Sequence, residues 1–406
     1  MHRLITLLVL LAAPRATLPA QAADRLTPER AVALGRAHGP LAAHAAARRL
    51  VHDGRARTDG AWPNPIAEWR VENLDAPIAR DRFATIQLPV DVTGRRVALR
   101  QAAGLARDRG RADSAATLRA FDAEVLRAYW RVMLAVELAQ IAMTERDARV
   151  ETATFETGRF REGAVAEVSA MRTQLEADRA RVVGASAEAE ATRARADLAR
   201  LIGVATPELP ALPALEDVPI DSSASDTSWS LVRERRPELH TTRLAAAESE
   251  RRWRAETRGL VGDLGFVGGY KGTGGFATGI LGVQVPLPLF NRNDGPRLRS
   301  QGEFLAARAD LLDAELRARA EVHAAALAWA GVRDAGRAGA ATLDDRASEI
   351  ARIAEASYRE GAISLVDLLE AQRARADARA AAARWLVDVH LARLELDRAT
   401  GAPLLR

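Results

Sequence analysis

Phe160-Arg161-Glu162-Gly163-Ala164-Val165 is followed, 198 residues later, by Tyr358-Arg359-Glu360-Gly361-Ala362-Ile363. The same offset relates Val168 to Val366, Gln174 to Gln372, Leu198 to Leu396 and Gly203 to Gly401. Upstream of the two hexapeptides the offset is 197, pairing Pro40 with Pro237, Pro89 with Pro286 and Arg95 with Arg292. One inserted residue therefore separates two halves that match over most of the chain. A period of about 200 residues is too long for a solenoid repeat. The sequence predicts a duplicated, domain-sized unit with the same architecture twice.

Working outward from the hexapeptides, each half reads helix, strand, strand, long helix, tip, helix. Thr27-Pro28-Glu29 supplies an N-cap, an N1 proline and an early acid for a helix to about Ala61. Trp62-Pro63-Asn64-Pro65 stops it. Ile66 to Leu74 alternates, with Glu68, Arg70 and Glu72 against Ala67, Trp69 and Val71. Phe83 to Val90 does the same, with Ala84, Ile86, Leu88 and Val90 on the apolar face. Period 2 of this length predicts strands. Arg95 to about Arg159 holds no proline and predicts one helix, about 98 Å long at 1.5 Å per residue. Gly163 breaks it, and a helix from Glu167 to Ile202 ends at Gly203. The second half predicts a helix from Trp229 to Arg258, strands over Leu264–Tyr270 and Phe276–Val285, a long helix over Leu298–Ser357, a break at Gly361 and a helix from Leu365 to about Ala399. In each half the two shorter helices together match the long one, so end to end they would lie alongside it.

Composition narrows the function classes. Among 406 residues, 48% are hydrophobic but only 4% aromatic, with no cysteine. That excludes disulfides, Cys-ligated metal, a thiol nucleophile and an N-terminal lipidated Cys. The Ala/Arg/Glu/Leu richness points to long helices. The net charge is only +4, from 58 basic and 54 acidic residues without blocks of one sign, which describes a salt-bridged helix surface and no nucleic-acid partner. Met1 to Ala22 reads as an export signal: Arg3, the apolar run Leu4–Ala13, and Ala20-Gln21-Ala22 for cleavage. The domain organisation expected is 1–22 signal peptide, 23–203 first structural repeat, 204–226 linker and 227–406 second structural repeat.

Strands of nine or ten alternating residues have the length of tilted transmembrane strands. Four per chain cannot close a barrel, and lipid cannot satisfy open edges, so the chain must assemble. Three copies give twelve strands. The apolar faces (Ala67, Trp69, Val71; Ala84, Ile86, Leu88; Ala277, Gly279, Leu281, Val283) would meet lipid, and Glu68, Arg70 and Glu72 would line the lumen. A small soluble sheet on a helical bundle is the other reading of the pattern.

These features and their motifs resemble the TolC-like outer-membrane efflux protein family over nearly the whole chain. The most specific residues are the two tips. Tyr358-Arg359-Glu360-Gly361-Ala362-Ile363-Ser364-Leu365-Val366-Asp367-Leu368-Leu369-Glu370-Ala371 is similar to the family's aromatic-x-x-Gly-x-x-Ser-x-x-Asp-x-Leu-acid-Ala pattern. The strand exit Val285-Pro286-Leu287-Pro288-Leu289-Phe290-Asn291-Arg292-Asn293, with Thr93-Gly94-Arg95-Arg96, is more similar to the heavy-metal-cation (CzcC-like) branch than to drug exporters. Asp294-Gly295 and Asp91-Val92-Thr93 depart from that branch's pattern. The resemblance implies a mainly α fold with minor β: a long α-helical barrel plus a transmembrane β-barrel completed by trimerisation. It implies a passive exit duct in the outer membrane, extending into the periplasm, for heavy-metal cations or small toxic compounds. The partners implied are two further copies in a homotrimer, outer-membrane lipid, a periplasmic adaptor (membrane fusion) protein and an inner-membrane pump of the resistance-nodulation-division type. A duct for type I protein secretion and a soluble periplasmic coiled-coil scaffold are the alternatives.

No catalytic arrangement, cofactor motif or metal-ligand spacing stands out, so the chain reads as a conduit and not an enzyme. His38, His44 and His52 are spaced six and eight apart, unlike an H-x-x-x-H pair. The candidate sites are two. Gly163 and Gly361 would place Arg161, Glu162, Arg359 and Glu360 at exposed periplasmic tips that dock the adaptor. Asp367 and Glu370, at i,i+3 on one helix face, would by the resemblance line the periplasmic aperture with Tyr358 as companion. The first half holds Ser169 and Arg172 at the equivalent positions, so three copies would carry three Asp and three Glu, a ring that concentrates cations and raises its own pKa values. Ile363 stands where drug-exporting relatives often place an Arg.

Overall fold

A computed structural model describes residues 25–74, 79–206, 209–215, 227–259 and 262–405. The expected signal segment 1–22 lies outside these residues, as does much of 204–226. The helices are α1 (Pro28–His38), α2 (Pro40–Gly60), α3 (Arg95–Arg161), α4 (Glu167–Ile202), α5 (Trp229–Arg235), α6 (Pro237–Arg258), α7 (Asp294–Arg337), α8 (Leu343–Arg359) and α9 (Leu365–Thr400). The strands are β1 (Ile66–Glu72), β2 (Asp81–Val90), β3 (Leu264–Thr273) and β4 (Phe276–Gln284).

α3 runs unbroken for 67 residues, about 100 Å. α1, α2 and α4 pack along it, and α6 and α9 also touch it. Around its middle sits the main core, where Phe121, Val125, Tyr129 and Val132 recur at helical spacing. They meet Leu26 and Val32 before and in α1, Leu198 and Ile202 of α4, and Val387 and Leu394 of α9. The Tyr129 hydroxyl donates to the Leu26 carbonyl (3.0 Å). Trp130 stacks on His390 at 3.8 Å between ring centroids. Burial there pushes the His390 imidazole down to about 4, so it is neutral at physiological pH.

Three helices expected to be continuous are interrupted. The first breaks at Gly39 and the one at 229–258 breaks at Arg236, each followed by a proline that opens the next helix. A matching contact explains both breaks. Each half ends its last helix on a left-handed glycine, Gly203 (φ 73°) and Gly401 (φ 79°). A Cβ on Gly203 would fall 2.5 Å from the His38 carbonyl oxygen, and one on Gly401 2.8 Å from Arg235. The third interruption has no counterpart in the first half. The helix expected over 298–357 stops at Arg337, passes Gly339 at φ 121° and a 3₁₀ turn over Ala340–Thr342, and resumes as α8. Gly331, Gly336 and Gly339 weaken this stretch. The Trp385 indole N–H takes the Val332 carbonyl (3.0 Å), and its ring lies where any side chain at 336 would stand.

The four strands form one antiparallel sheet in the order β1-β2-β3-β4. Two left-handed glycines, Gly274 and Gly275, make the β3–β4 turn. Register places Trp69, Ala84, Tyr270 and Gly279 in one cross-strand row, and Ala67, Ile86, Gly268 and Leu281 in the next. Leu88, Phe266 and Val283 form a third row on the same face. The opposite face carries Glu68, Arg70, Glu72, Asp81 and Lys271. There Arg70 pairs with Glu72 (3.2 Å) and Lys271 with Asp81 (3.0 Å). The expected division into an apolar and a charged face is thus seen in the register. Among the described residues nothing covers the apolar face: Leu281 is 91% exposed.

Candidate functional site

Both tips are built by the same backbone. α3 closes with Glu162 N–H on Gly158 O (3.1 Å), Gly163 N–H on Phe160 O (2.9 Å) and Ala164 N–H on Arg159 O (2.8 Å). α8 closes with Glu360 on Ala356 (3.2 Å), Gly361 on Tyr358 (3.0 Å) and Ala362 on Ser357 (2.8 Å). Gly163 and Gly361 sit at φ 73° and 75°, the left-handed region that ends a helix and favours glycine. Chain neighbours aside, no atom of the described residues lies within 4 Å of a Cβ built on either. Within the protomer these glycines answer to φ, not to a close neighbour. Arg161, Glu162, Arg359 and Glu360 are all exposed at the two turns. Arg359 only approaches Glu151, at 3.9 Å.

Tyr358 does not point into solvent. Its hydroxyl donates to Glu156 Oε1 (2.6 Å) on α3. Arg159 Nη1 donates to the same Glu156 oxygen (3.1 Å) and to the Tyr358 oxygen (3.2 Å). Glu156 is 1% exposed, so the three groups form a closed network that ties α8 to α3. Burial, and then the Glu156 carboxylate, push the Tyr358 phenol up to about 12. It remains a protonated donor at every physiological pH. Beside it lies a cavity of about 320 Å³ walled by Phe155, Leu368 and Gln372, with Glu151 and Glu355 at its sides.

A second tie joins α3 to the start of α9. Buried Arg149 donates through Nε to Glu145 (2.6 Å) and through Nη2 to the Leu369 carbonyl (3.1 Å). α9 itself opens with a capping box. Ser364 Oγ accepts from Asp367 N–H (3.3 Å), and Asp367 Oδ2 accepts from Ser364 N–H (3.0 Å) and Ser364 Oγ (2.7 Å). The hydroxyl bond, then the backbone bond, hold the Asp367 carboxyl below the usual carboxylate range. In the protomer this is the opposite of the rise expected from a ring of acids, because local hydrogen bonds to the charged form decide it. Glu370 is exposed one turn further along α9. Arg373 reaches across to Glu176 on α4 (3.2 Å) and links the two hairpins.

The structure brings Tyr358, Asp367 and Glu370 to one end of the molecule and keeps the two tip glycines there as well. Glu156, Arg159 and Arg149 were not foreseen. On a helix with so many Arg and Glu at i,i+3, nothing in the sequence distinguishes the pair that faces a partner helix. His52 fills a packing role, since a Cβ on Gly110 of α3 would fall 2.5 Å from its own Cβ.

Residues 230–402 match the family of outer membrane efflux proteins. The chain is 27% identical to the cobalt-zinc-cadmium resistance protein CzcC of Cupriavidus metallidurans, over 94% of this chain and 92% of that protein. Its fold is similar to that of the Campylobacter jejuni CmeC outer membrane channel (TM-score 0.78, 15% identity, 96% of this chain and 93% of that one). It is equally similar to that of the Neisseria gonorrhoeae MtrE outer membrane channel in its open state (TM-score 0.78, 19% identity, 93% and 89%). The chain matches the outer membrane efflux family over its second half and shares the fold of the outer membrane channels over both halves. It is an outer-membrane channel component that extends into the periplasm, a transport protein and not an enzyme. Channels of this family work as trimers in tripartite efflux.

Proposed function

We propose that this chain is the exit duct of a tripartite system that expels heavy-metal cations, working as a homotrimer with a periplasmic adaptor and a resistance-nodulation-division pump. The observation that carries the substrate class is the full-length similarity to a cobalt-zinc-cadmium resistance protein. Trimerisation is supported by the sheet, whose outer strands β1 and β4 each have one edge that no strand among the described residues pairs. The chain divides as a signal peptide over 1–22, a repeat over 23–203, a linker over 204–226 and a repeat over 227–406. The exposed turns around Gly163 and Gly361 dock the adaptor. Tyr358, Asp367 and Glu370 form the periplasmic aperture, with the Tyr358–Glu156 bond holding the α8–α9 hairpin against α3. A host lacking its own metal exporters, supplied with the pump and adaptor, tests this. Adding this chain should lower cell-associated cadmium, zinc or cobalt. Unchanged metal content, with reduced accumulation of a small organic toxicant instead, would overturn the metal assignment. A stable monomer with unchanged β content in mild detergent would overturn the trimer.

A further inference from the structure

We infer that the strand exit 285–290 is a membrane anchor: it completes the lipid-facing band at its periplasmic edge and seats Phe290 among the phospholipid headgroups of the inner leaflet. The inference rests on the placement of the sheet in the outer membrane. On β4 the lipid side carries Ala277, Gly279, Leu281 and Val283. That run covers about 20 Å along the strand and, at a tilt of about 45°, about 14 Å along the membrane normal. A lipid-facing band is about 25 Å tall, so the paired rows alone fall short. Arg82 marks the outer end, in one row with Gly272 and Ala277. The missing height must come from the helix side of the sheet. Val285 and Leu287 carry on the same odd-numbered alternation and are exposed, Leu287 at 72%. With them the run reaches about 34 Å along the chain and about 24 Å along the normal.

The segment is apolar without being strand. Pro286 and Pro288 lack the N–H that a continued ladder needs, so the chain leaves hydrogen bonding while Leu287 and Leu289 stay exposed. Leu289 N–H then bonds to Leu287 O (2.9 Å), a tight turn that brings out Leu289 and Phe290. Phe290 is 101% exposed, and Asn291-Arg292-Asn293 follow it directly. An aromatic ring between an apolar band and a cationic segment fits a bilayer interface. The segment is also held in place: Pro286 lies against Gly262, and Asn293 Nδ2 donates to the Glu256 carbonyl and carboxylate on α6 (2.9 and 3.0 Å). With no cysteine available for an acyl anchor, a fixed apolar loop gives the protein a hold on the inner leaflet.

The absence of cysteine also makes the test clean. Single-cysteine variants Leu287→Cys, Leu281→Cys and Glu68→Cys of the full trimer are spin-labelled and reconstituted in phosphatidylethanolamine/phosphatidylglycerol vesicles. Relaxation by oxygen, which concentrates in lipid, is compared with relaxation by a water-soluble nickel chelate. Oxygen should dominate at Leu287 as at Leu281, and the order should reverse at Glu68. A Leu287 label relaxed mainly by the nickel chelate places the loop in the periplasm and overturns the anchor. A Leu287 label that is immobilised and shielded from both reagents makes the segment a contact between copies and overturns it equally. Failure of oxygen to dominate at Leu281 too would bring down the barrel reading along with the anchor.

Discussion

The two tips share a backbone to within a few degrees and tenths of an ångström, yet only the second is tied down. Glu162 and Glu360 both sit at φ −82°, with ψ −2° and −6°. Where the second tip has Ser364 and Asp367 in a capping box, the first has Ala166 and Ser169, and α4 starts without a side-chain cap bond. Where the second has Tyr358 bonded to Glu156, the first has Phe160, which has no hydroxyl to donate. The helix entering the first tip is one rigid rod, and the helix entering the second is jointed at Gly339. Duplication has therefore kept what the backbone requires, a left-handed glycine, and let the bonding side chains diverge. The result is a stiff hairpin, α3–α4, and a jointed hairpin, α8–α9, that is fastened to it.

Cutting the fastening should have the largest effect. Glu156→Ala removes the acceptor for both Tyr358 and Arg159. Hydrogen bonds to a charged group contribute about 1.5–3 kcal/mol, so the tied arrangement should lose roughly 3 kcal/mol. Single-channel recordings should show a larger or more frequently open conductance, and cells should admit large antibiotics that the outer membrane normally excludes. Phe160→Ala, the corresponding change in the first tip, should leave both measurements unaltered. Because the phenol titrates only at about 12, wild-type conductance should not respond to the tyrosine between pH 6 and 9. Equal effects of Glu156→Ala and Phe160→Ala would mean that both hairpins gate.

The glycines should behave alike. Gly163→Leu and Gly361→Leu each place a side chain at positive φ, at a cost of about 1–2 kcal/mol, with open space around the new Cβ. Trimers should still form on native gels, with thermal midpoints lowered to a similar degree. Metal efflux in the presence of pump and adaptor should fall in both. Normal efflux from one variant would assign adaptor docking to the other tip alone.

How much of this was legible in the sequence depends on whether a feature is periodic or a matter of packing. The strands, α3, α4, α9 and both tips could be read because alternation, helical spacing and a glycine after an apolar run are local signals. The strand ends were less legible: β2 starts at Asp81 instead of Phe83 and β3 runs on to Thr273 past Tyr270, while β1 and β4 stop at Glu72 and Gln284, short of Leu74 and Val285, since residues at a strand end carry little period. The joint at Gly339 was missed because Ala and Arg around it still favour helix. Its cause, Trp385 on Gly336, comes from a helix distant in sequence. The Glu156–Tyr358 bond was missed for the same reason. The bonding of Asp367 to Ser364 follows from the S-x-x-D spacing, a capping signature that coincides with the family-like pattern.

The smallest effect expected is also the most diagnostic of the difference between the tips. Ser364→Ala deletes the cap hydroxyl that α4 never had, and loss of an N-cap costs about 1 kcal/mol. Ala166→Ser should return a similar amount to the first tip. The sharper readout is pH. Ser364 bonds to the charged form of Asp367 and lowers its pKa, so the contribution of the ionised carboxylate is present above the usual carboxylate range and is lost only as pH falls through the lowered value. Without the hydroxyl, Asp367 takes up its proton at a higher pH. In a Glu370→Gln background, which leaves Asp367 as the acid of the proposed aperture on α9, cation selectivity should disappear on acidification. Its midpoint should move upward when Ser364→Ala is added. A midpoint that stays put would mean that the permeating ion does not sense Asp367, and that the cap at the second tip serves only the helix.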